Sequence, residues 1–295
     1  MSLPALGGGY TPGAMIDFHQ HVGHYGRTAA EALAHQEPHG VRAAVLLPID
    51  GTSTPAERFP WEATRDAARE HPTRFVPFVH ADPRRPDALD AVRRAHAEGA
   101  RGFGEHKVRH PVDDPGSLAL YRLCAELGLP VLLHFEYGVY NWNFEAFETV
   151  LRDHPDTVFV GHAQAFWANI SADAPRDPAA PGYTAYPTGP VQPVGLTDRW
   201  LTEFPNLYAD LSAGSGLGGL TRDPEFTRGF LRRHERKLLW ATDCPCRDGH
   251  GDWGPEAGQR ECFAARSLPV LEALCASPEA YAAITGGNAR RLLGL

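Results

Sequence analysis

The sequence predicts an α/β protein, a (β/α)8 TIM barrel in a single domain with a long loop after its sixth strand. Three observations predict it. Short apolar runs recur along the chain, and segments with apolar residues at helical spacing lie between them. Each passage from helix to strand also carries a stop signal. Strand and helix alternating eight times is the pattern of βαβ units, and eight such units bury both sheet edges by closing on themselves.

Residues 15–21 form the first predicted strand. Gly stops, suited to the left-handed conformation just past a helix end, fall at Gly40 before a strand over 41–49, at Gly99 before 100–105 and at Gly128 before 129–136. Pro stops, which cannot continue a helix, fall at Pro72 before 74–80, Pro155 before 157–162 and Pro205 before 206–211. The eighth strand, 238–243, follows the basic helix end at 232–237. Helices are predicted over 62–70, 87–98, 117–127, 145–153 and 223–234, with Leu118, Tyr121, Leu123 and Leu127 at helical spacing. The interval between His162 and Asn206 breaks the rhythm. Its stretch 171–192 is rich in Pro, Gly, Ala and Asp, and on a barrel it would sit on the face that holds the active site. One domain thus spans 1–295, with an N-terminal extension over 1–14 and a long loop and insertion over 165–205.

Composition sets limits on function. Of the 295 residues, 43% are hydrophobic and 22% charged, as in ordinary globular proteins. A net charge of −8 argues against nucleic acid as a partner. No apolar window is long enough for a membrane helix, and residues 1–11 lack the basic start of a secretory leader. Five cysteines, an odd number, fit reduced thiols in the cytoplasm.

The chemistry lies at the strand ends. Strand one ends in His19 and His21, strand four in Glu105 and Lys107, and strand five in His134 and Glu136. Strand six ends in His162 and strand eight in Asp243. Alternation puts Asp17, His19 and His21 on one strand face, with Phe18 and Gln20 on the other. A barrel gathers all eight ends around one mouth, and a shared metal ion pairs buried imidazoles and carboxylates that are costly alone. Such ligands suit Zn2+, which lowers the pKa of a bound water to about 7. Asp243 beside that water can take its proton.

These residues carry a resemblance. Asp17-Phe18-His19-Gln20-His21 resembles the opening motif of the amidohydrolase superfamily. Val160-Gly161-His162-Ala163, residues 206–212 and Ala241-Thr242-Asp243-Cys244-Pro245 are similar to later motifs of its second family, which includes aminocarboxymuconate-semialdehyde decarboxylase. The ending at 286–293 is similar to the family's last helix. The resemblance implies that His19, His21, His134 and Asp243 bind one metal ion, with His162 polarising substrate or water. Glu105 then orients a histidine, or else bridges to a second ion held by His134 and His162; one ion is the expectation.

Lys107 and Arg109, and an aromatic wall including Tyr137, are expected to receive a small, carboxylate-bearing substrate. The expected activity is hydrolysis of a C–N or C–O bond. Decarboxylation of an unsaturated acid on the same site is the alternative, and a non-catalytic metal-binding protein the second. Cys244-Pro245-Cys246 reads as plain buried thiols or a strained loop, with thiolate ligation the lesser alternative, and His71, His154 and His234 as helix-end residues.

Overall fold

Eight parallel strands succeed one another in chain order in the computed structural model, which describes residues 14–50 and 58–295. They are β1 (Met15–Gln20), β2 (Val41–Leu46), β3 (Phe75–Pro77), β4 (Phe103–His106), β5 (Val131–His134), β6 (Phe159–His162), β7 (Leu207–Asp210) and β8 (Leu238–Leu239). Ladders join β1 to β3 and, separately, β4 to β8. Backbone hydrogen bonds cross both remaining seams. Val79 N donates to Gly102 O (2.9 Å) and Gly104 N to Val79 O (2.8 Å). Phe18 N donates to Trp240 O (3.1 Å) and Asp243 N to His19 O (2.9 Å). The expected barrel is therefore closed. The expected extension over 1–14 lies, apart from Ala14, outside the described residues.

The helices between strands are α1 (Ala29–Gln36), α2 (Trp61–Glu70), α3 (Ala88–Ala97), α4 (Pro115–Leu127), α5 (Phe147–Asp153), α6 (Gln164–Ala168), α7 (Leu196–Glu203), α8 (Ala213–Thr221) and α9 (Pro224–His234). After β8 come α10 (Phe263–Leu274) and three short helical pieces ending at Leu293. The predicted stops hold: Gly128 ends α4 at φ 67° and returns its N–H to Ala125 O. His71 and His154 cap α2 and α5, and His234 closes α9. Among the described residues no helix is long and apolar enough to cross a membrane.

Ile16, Phe18, Val45, Val76, Phe78, Leu132, Val160 and Leu239 form one buried cluster inside the barrel. A second, larger cluster, including Phe103, Tyr121, Phe135 and Trp200, packs sheet against helices. Between them, Gly161 in β6 has no room for a side chain, since a Cβ there would lie 2.0 Å from the Phe166 ring. Gly161→Ala should therefore cost about 1–3 kcal/mol of stability, read as a lower urea midpoint at unchanged slope.

All eight predicted strands are shorter than the sequence suggests, three of them for identifiable reasons. Strand two stops at Leu46, and Ile49–Asp50 pairs instead with Arg58–Phe59 in an antiparallel ribbon. Strand three closes at Pro77, which has no N–H for the ladder. Strand eight ends at Leu239 because the N–H of Thr242 turns to the Asp17 carboxylate (2.9 Å) and that of Asp243 to His19 O.

The long connection after β6 holds no helix or strand over 171–192. Its ends are tied together by Ala172 N to Gln192 O (2.7 Å) and Gln192 N to Ser171 Oγ (2.8 Å). Trp167 is buried and donates to Asp210 O (2.9 Å), whereas Tyr186 stays 51% exposed.

Candidate metal centre

The opening motif departs from simple alternation. Ile16 and Phe18 face the barrel interior, but the pairing of β1 with β2 slips between Asp17 and Gln20. Asp17 does not share the mouth with the two histidines. Its carboxylate accepts from Thr242 N (2.9 Å), Thr242 Oγ1 (2.6 Å) and Gln20 Nε2 (2.7 Å), fastening the end of β1 to the chain after β8. Burial pushes the Asp17 carboxyl up to about 6.

His19 and His21 lie beyond the slip with their Nε2 atoms 3.1 Å apart. Each ring is committed on its other side. His19 Nδ1 donates to Asp210 Oδ2 at 2.6 Å, and His21 Nδ1 donates to the carbonyl of Leu47 at 2.7 Å. Two neutral rings so committed confront each other with lone pairs, an arrangement that a shared cation relieves. The electrostatics ask for the same positive charge. Burial lowers the His19 pKa, but Asp243 and Asp210 more than reverse this and hold it well above 6.5.

Two carboxylates complete the set. Glu105 Oε2 lies 3.7 Å from His19 Nε2 and 3.4 Å from His21 Nε2. Asp243 Oδ1 lies 3.7 Å and 3.3 Å from the same two atoms. Ligand atoms about 2.1 Å from a common tetrahedral centre stand about 3.4 Å apart, close to each of these four separations; by mutual approach the ligand atoms group as His19, His21 and Glu105, as His19, His162 and Asp243, and as Glu105, His134 and His162. Two imidazoles and two carboxylates also neutralise a divalent charge. Burial opposes ionisation of Glu105, but His134, His19 and His21 hold its carboxyl well below the usual range. Asp243 is held low as well, against its burial, by His19 and His21. Its backbone is left-handed at φ 48°, which aspartate tolerates better than most residues.

His134 and His162 stand behind Glu105. His134 Nδ1 donates to Glu105 Oε1 at 2.5 Å, and His162 Nε2 lies 3.7 Å from the same oxygen. The second nitrogen of His134, Nε2, is buried without a hydrogen-bond partner, 3.7 Å from Glu136 Oε2. Ser212 Oγ is 3.0 Å from His162 Nδ1. Burial lowers the His162 pKa to about 4, so its ring is neutral.

A cleft of about 70 Å³ opens at this mouth, with Lys107, His24 and Phe59 on its walls beside Glu105, His134 and Asp243. Lys107 Nζ and Arg109 Cζ both lie over the Tyr140 ring, at 5.2 and 5.1 Å from its centroid. Tyr137 is turned away. Its ring packs on Phe144, and its hydroxyl accepts from Asn169 Nδ2 (2.9 Å), so the structure does not bring it to the cleft. Asp210, which orients His19, and Ser212, beside His162, are not among the site residues expected from the sequence.

The fold and this cluster define a class: a (β/α)8 barrel with a histidine and carboxylate centre at its C-terminal mouth. The chain belongs to the amidohydrolase family, whose model matches residues 16–295. Among solved structures it is similar to an uncharacterised TIM-barrel protein of Bordetella bronchiseptica, at 17% identity and a TM-score of 0.66 over 95% of this chain and 98% of the other. A probable 2-pyrone-4,6-dicarboxylic acid hydrolase of Acinetobacter baumannii with citric acid bound matches at 12% identity and a TM-score of 0.61, over 95% and 99%. A dihydroxybenzoic acid decarboxylase of a Polaromonas species, with bound manganese and the inhibitor 2-nitroresorcinol, matches at 15% identity and a TM-score of 0.60, over 96% and 97%. These likenesses establish the shared fold. No curated protein matches the chain.

Proposed function

We propose that this protein is a metal-dependent hydrolase that cleaves a C–N or C–O bond of a small, carboxylate-bearing molecule. The observation that carries this reading is the pair of Nε2 atoms of His19 and His21, 3.1 Å apart with both Nδ1 protons committed elsewhere. His19, His21, Glu105 and Asp243 would hold one divalent ion, Zn2+ or Mn2+. Such an ion supplies Lewis acidity and brings the pKa of a coordinated water to about 7.

The remaining steps belong to the chain. Asp243, whose side chain is 21% exposed at the mouth while Glu105 is 3% exposed, takes the proton of the attacking water and delivers it to the leaving group. His162, neutral and braced by Ser212, steadies charge developing on the substrate oxygen. Lys107, on the cleft wall, receives the substrate carboxylate. The Nδ1–H of His134 is spent on Glu105, which leaves its unpartnered Nε2 as the ring nitrogen free to ligate.

This assignment has a pH signature. A histidine whose pKa is lowered to about 4 is uncharged above that value and gains its proton only below it. His162 should therefore contribute no change in kcat/KM between pH 5.5 and 8, with loss only as the pH falls toward 4. An acid limb near 6.5 that disappears in His162→Asn would place the ring in a different environment.

A second reading, decarboxylation, is favoured by Lys107 beside the same centre and by the likeness to the Polaromonas decarboxylase. Product analysis over a panel of small aromatic and unsaturated acids, esters and lactones separates the two. Carbon dioxide release without a hydrolysis product would replace the hydrolase reading with the lyase one.

A further inference from the structure

We propose a second metal site, separate from the barrel mouth: a closed, structural Zn2+ centre formed by Cys244, Cys246, Cys262 and His35. These four side chains come from three elements. Cys244 and Cys246 flank Pro245 directly after Asp243, Cys262 caps the start of α10, and His35 lies in the last turn of α1. Each offers one ligand atom, and the four atoms all lie within 4.8 Å of one another. Three thiolates and one imidazole are the donor set of a structural zinc site, which takes all four ligands from the protein.

The surroundings fit a cation better than they fit packing. All four residues are buried, with His35 fully so. Its Nδ1 has no hydrogen-bond partner, and its Nε2 meets Cys262 Sγ at 3.4 Å. The Nε2 of a buried imidazole that meets only a sulfur is poorly compensated, which ligation through that nitrogen satisfies. Burial, reinforced by Arg27, lowers its pKa to about 3, so the ring is neutral as a ligand must be. His39 also approaches Cys262 Sγ, at 3.6 Å, but its Nε2 is committed to Gly249 O at 3.0 Å, which leaves His35 as the fourth ligand.

The sulfurs are prepared for negative charge. Gly251 N donates to Cys246 Sγ (3.1 Å) and Phe263 N to Cys244 Sγ (3.4 Å), the backbone support that coordinating thiolates use. Cys246 Sγ donates as a thiol to Asp248 Oδ1 at 3.2 Å, a carboxylate held there by the N–H groups of His250 and Asp252, and ligation would release that proton. A bound cation offsets that additional charge. Three cysteines also form an odd set, so a disulfide would strand one of them.

The site has a purpose in the fold. It would fasten the chain just after Asp243 to α1 and α10. Arg27 braces the same loop from behind, donating to Cys244 O (2.6 Å), Cys246 O (3.0 Å) and His21 O (2.7 Å).

Cobalt substitution tests this on the intact protein, purified without a histidine tag. Co2+ at the thiolate site gives a strong near-ultraviolet sulfur-to-cobalt charge-transfer band, which a histidine and carboxylate site cannot produce. That band is expected in the wild type, lost in Cys262→Ser and kept in the control Cys275→Ser. A mercurial thiol reagent should likewise release one zinc equivalent per chain from native protein, including from His21→Ala, in which the mouth is impaired. Cobalt bound without the band, no zinc released by the mercurial, or a disulfide among the three cysteines by mass spectrometry would each overturn the proposal. Should Cys262→Ser fail to fold, the wild-type spectrum and the mercurial titration still decide it.

Discussion

Asp243→Asn loses turnover while the chain stays folded. Loss of a positioned general base alone lowers kcat by about 10²–10⁴-fold, and the weaker hold of an amide on the ion deepens the loss. The fold survives because the backbone N–H of residue 243, not its side chain, makes the seam bond to His19 O. Asparagine also tolerates the left-handed backbone at φ 48°. Steady-state kinetics beside a thermal melt check both halves of the expectation. Undiminished activity would remove Asp243 from the proton path.

His21→Ala is expected to be comparably severe and to act through the metal. Removing one of two imidazoles forfeits the ion's stabilisation of developing charge, several kcal/mol, or about 10³-fold or more in rate. His21 is the cleaner of the two histidines to remove. Its Nδ1 partner is a backbone carbonyl, Leu47 O, whereas removing His19 strands the fully buried Asp210 carboxylate. Metal titration should show the mouth site weakened, with kcat/KM partly restored at high Zn2+ or Mn2+. Full activity without metal would contradict the reading.

Much of the frame was legible because it rests on local signals. Gly128 and Pro155 announce helix ends, and apolar runs ending in His134 and His162 announce buried strands with a polar mouth. What was not legible depends on packing between distant segments. Asp210 lies in a recognisable motif over 206–212, yet only the structure shows its carboxylate against His19. Glu105 shared its strand end with Lys107, and no spacing says which of Glu105 and His134 stands nearer to His19 and His21. Tyr137 follows β5 as a pocket residue would, yet Phe144 and Asn169 draw it into the packing. The thiol cluster was hidden for the same reason. Cys244-Pro245-Cys246 lacks the usual zinc spacing, and His35 and Cys262 join it only after α1 and α10 have docked on the barrel.

The proposed activity requires that His19, His21, Glu105 and Asp243 share one divalent ion. Anomalous scattering from crystals of the tag-free protein, collected on either side of the bound metal's absorption edge, tests it most directly. One peak is expected at the mouth within about 2.2 Å of His19 Nε2 and His21 Nε2, with a carboxylate oxygen of Glu105 and of Asp243 completing the shell. A metal-replete crystal with no peak between those two nitrogens, or with an ion held by His134 and His162 alone, would contradict it.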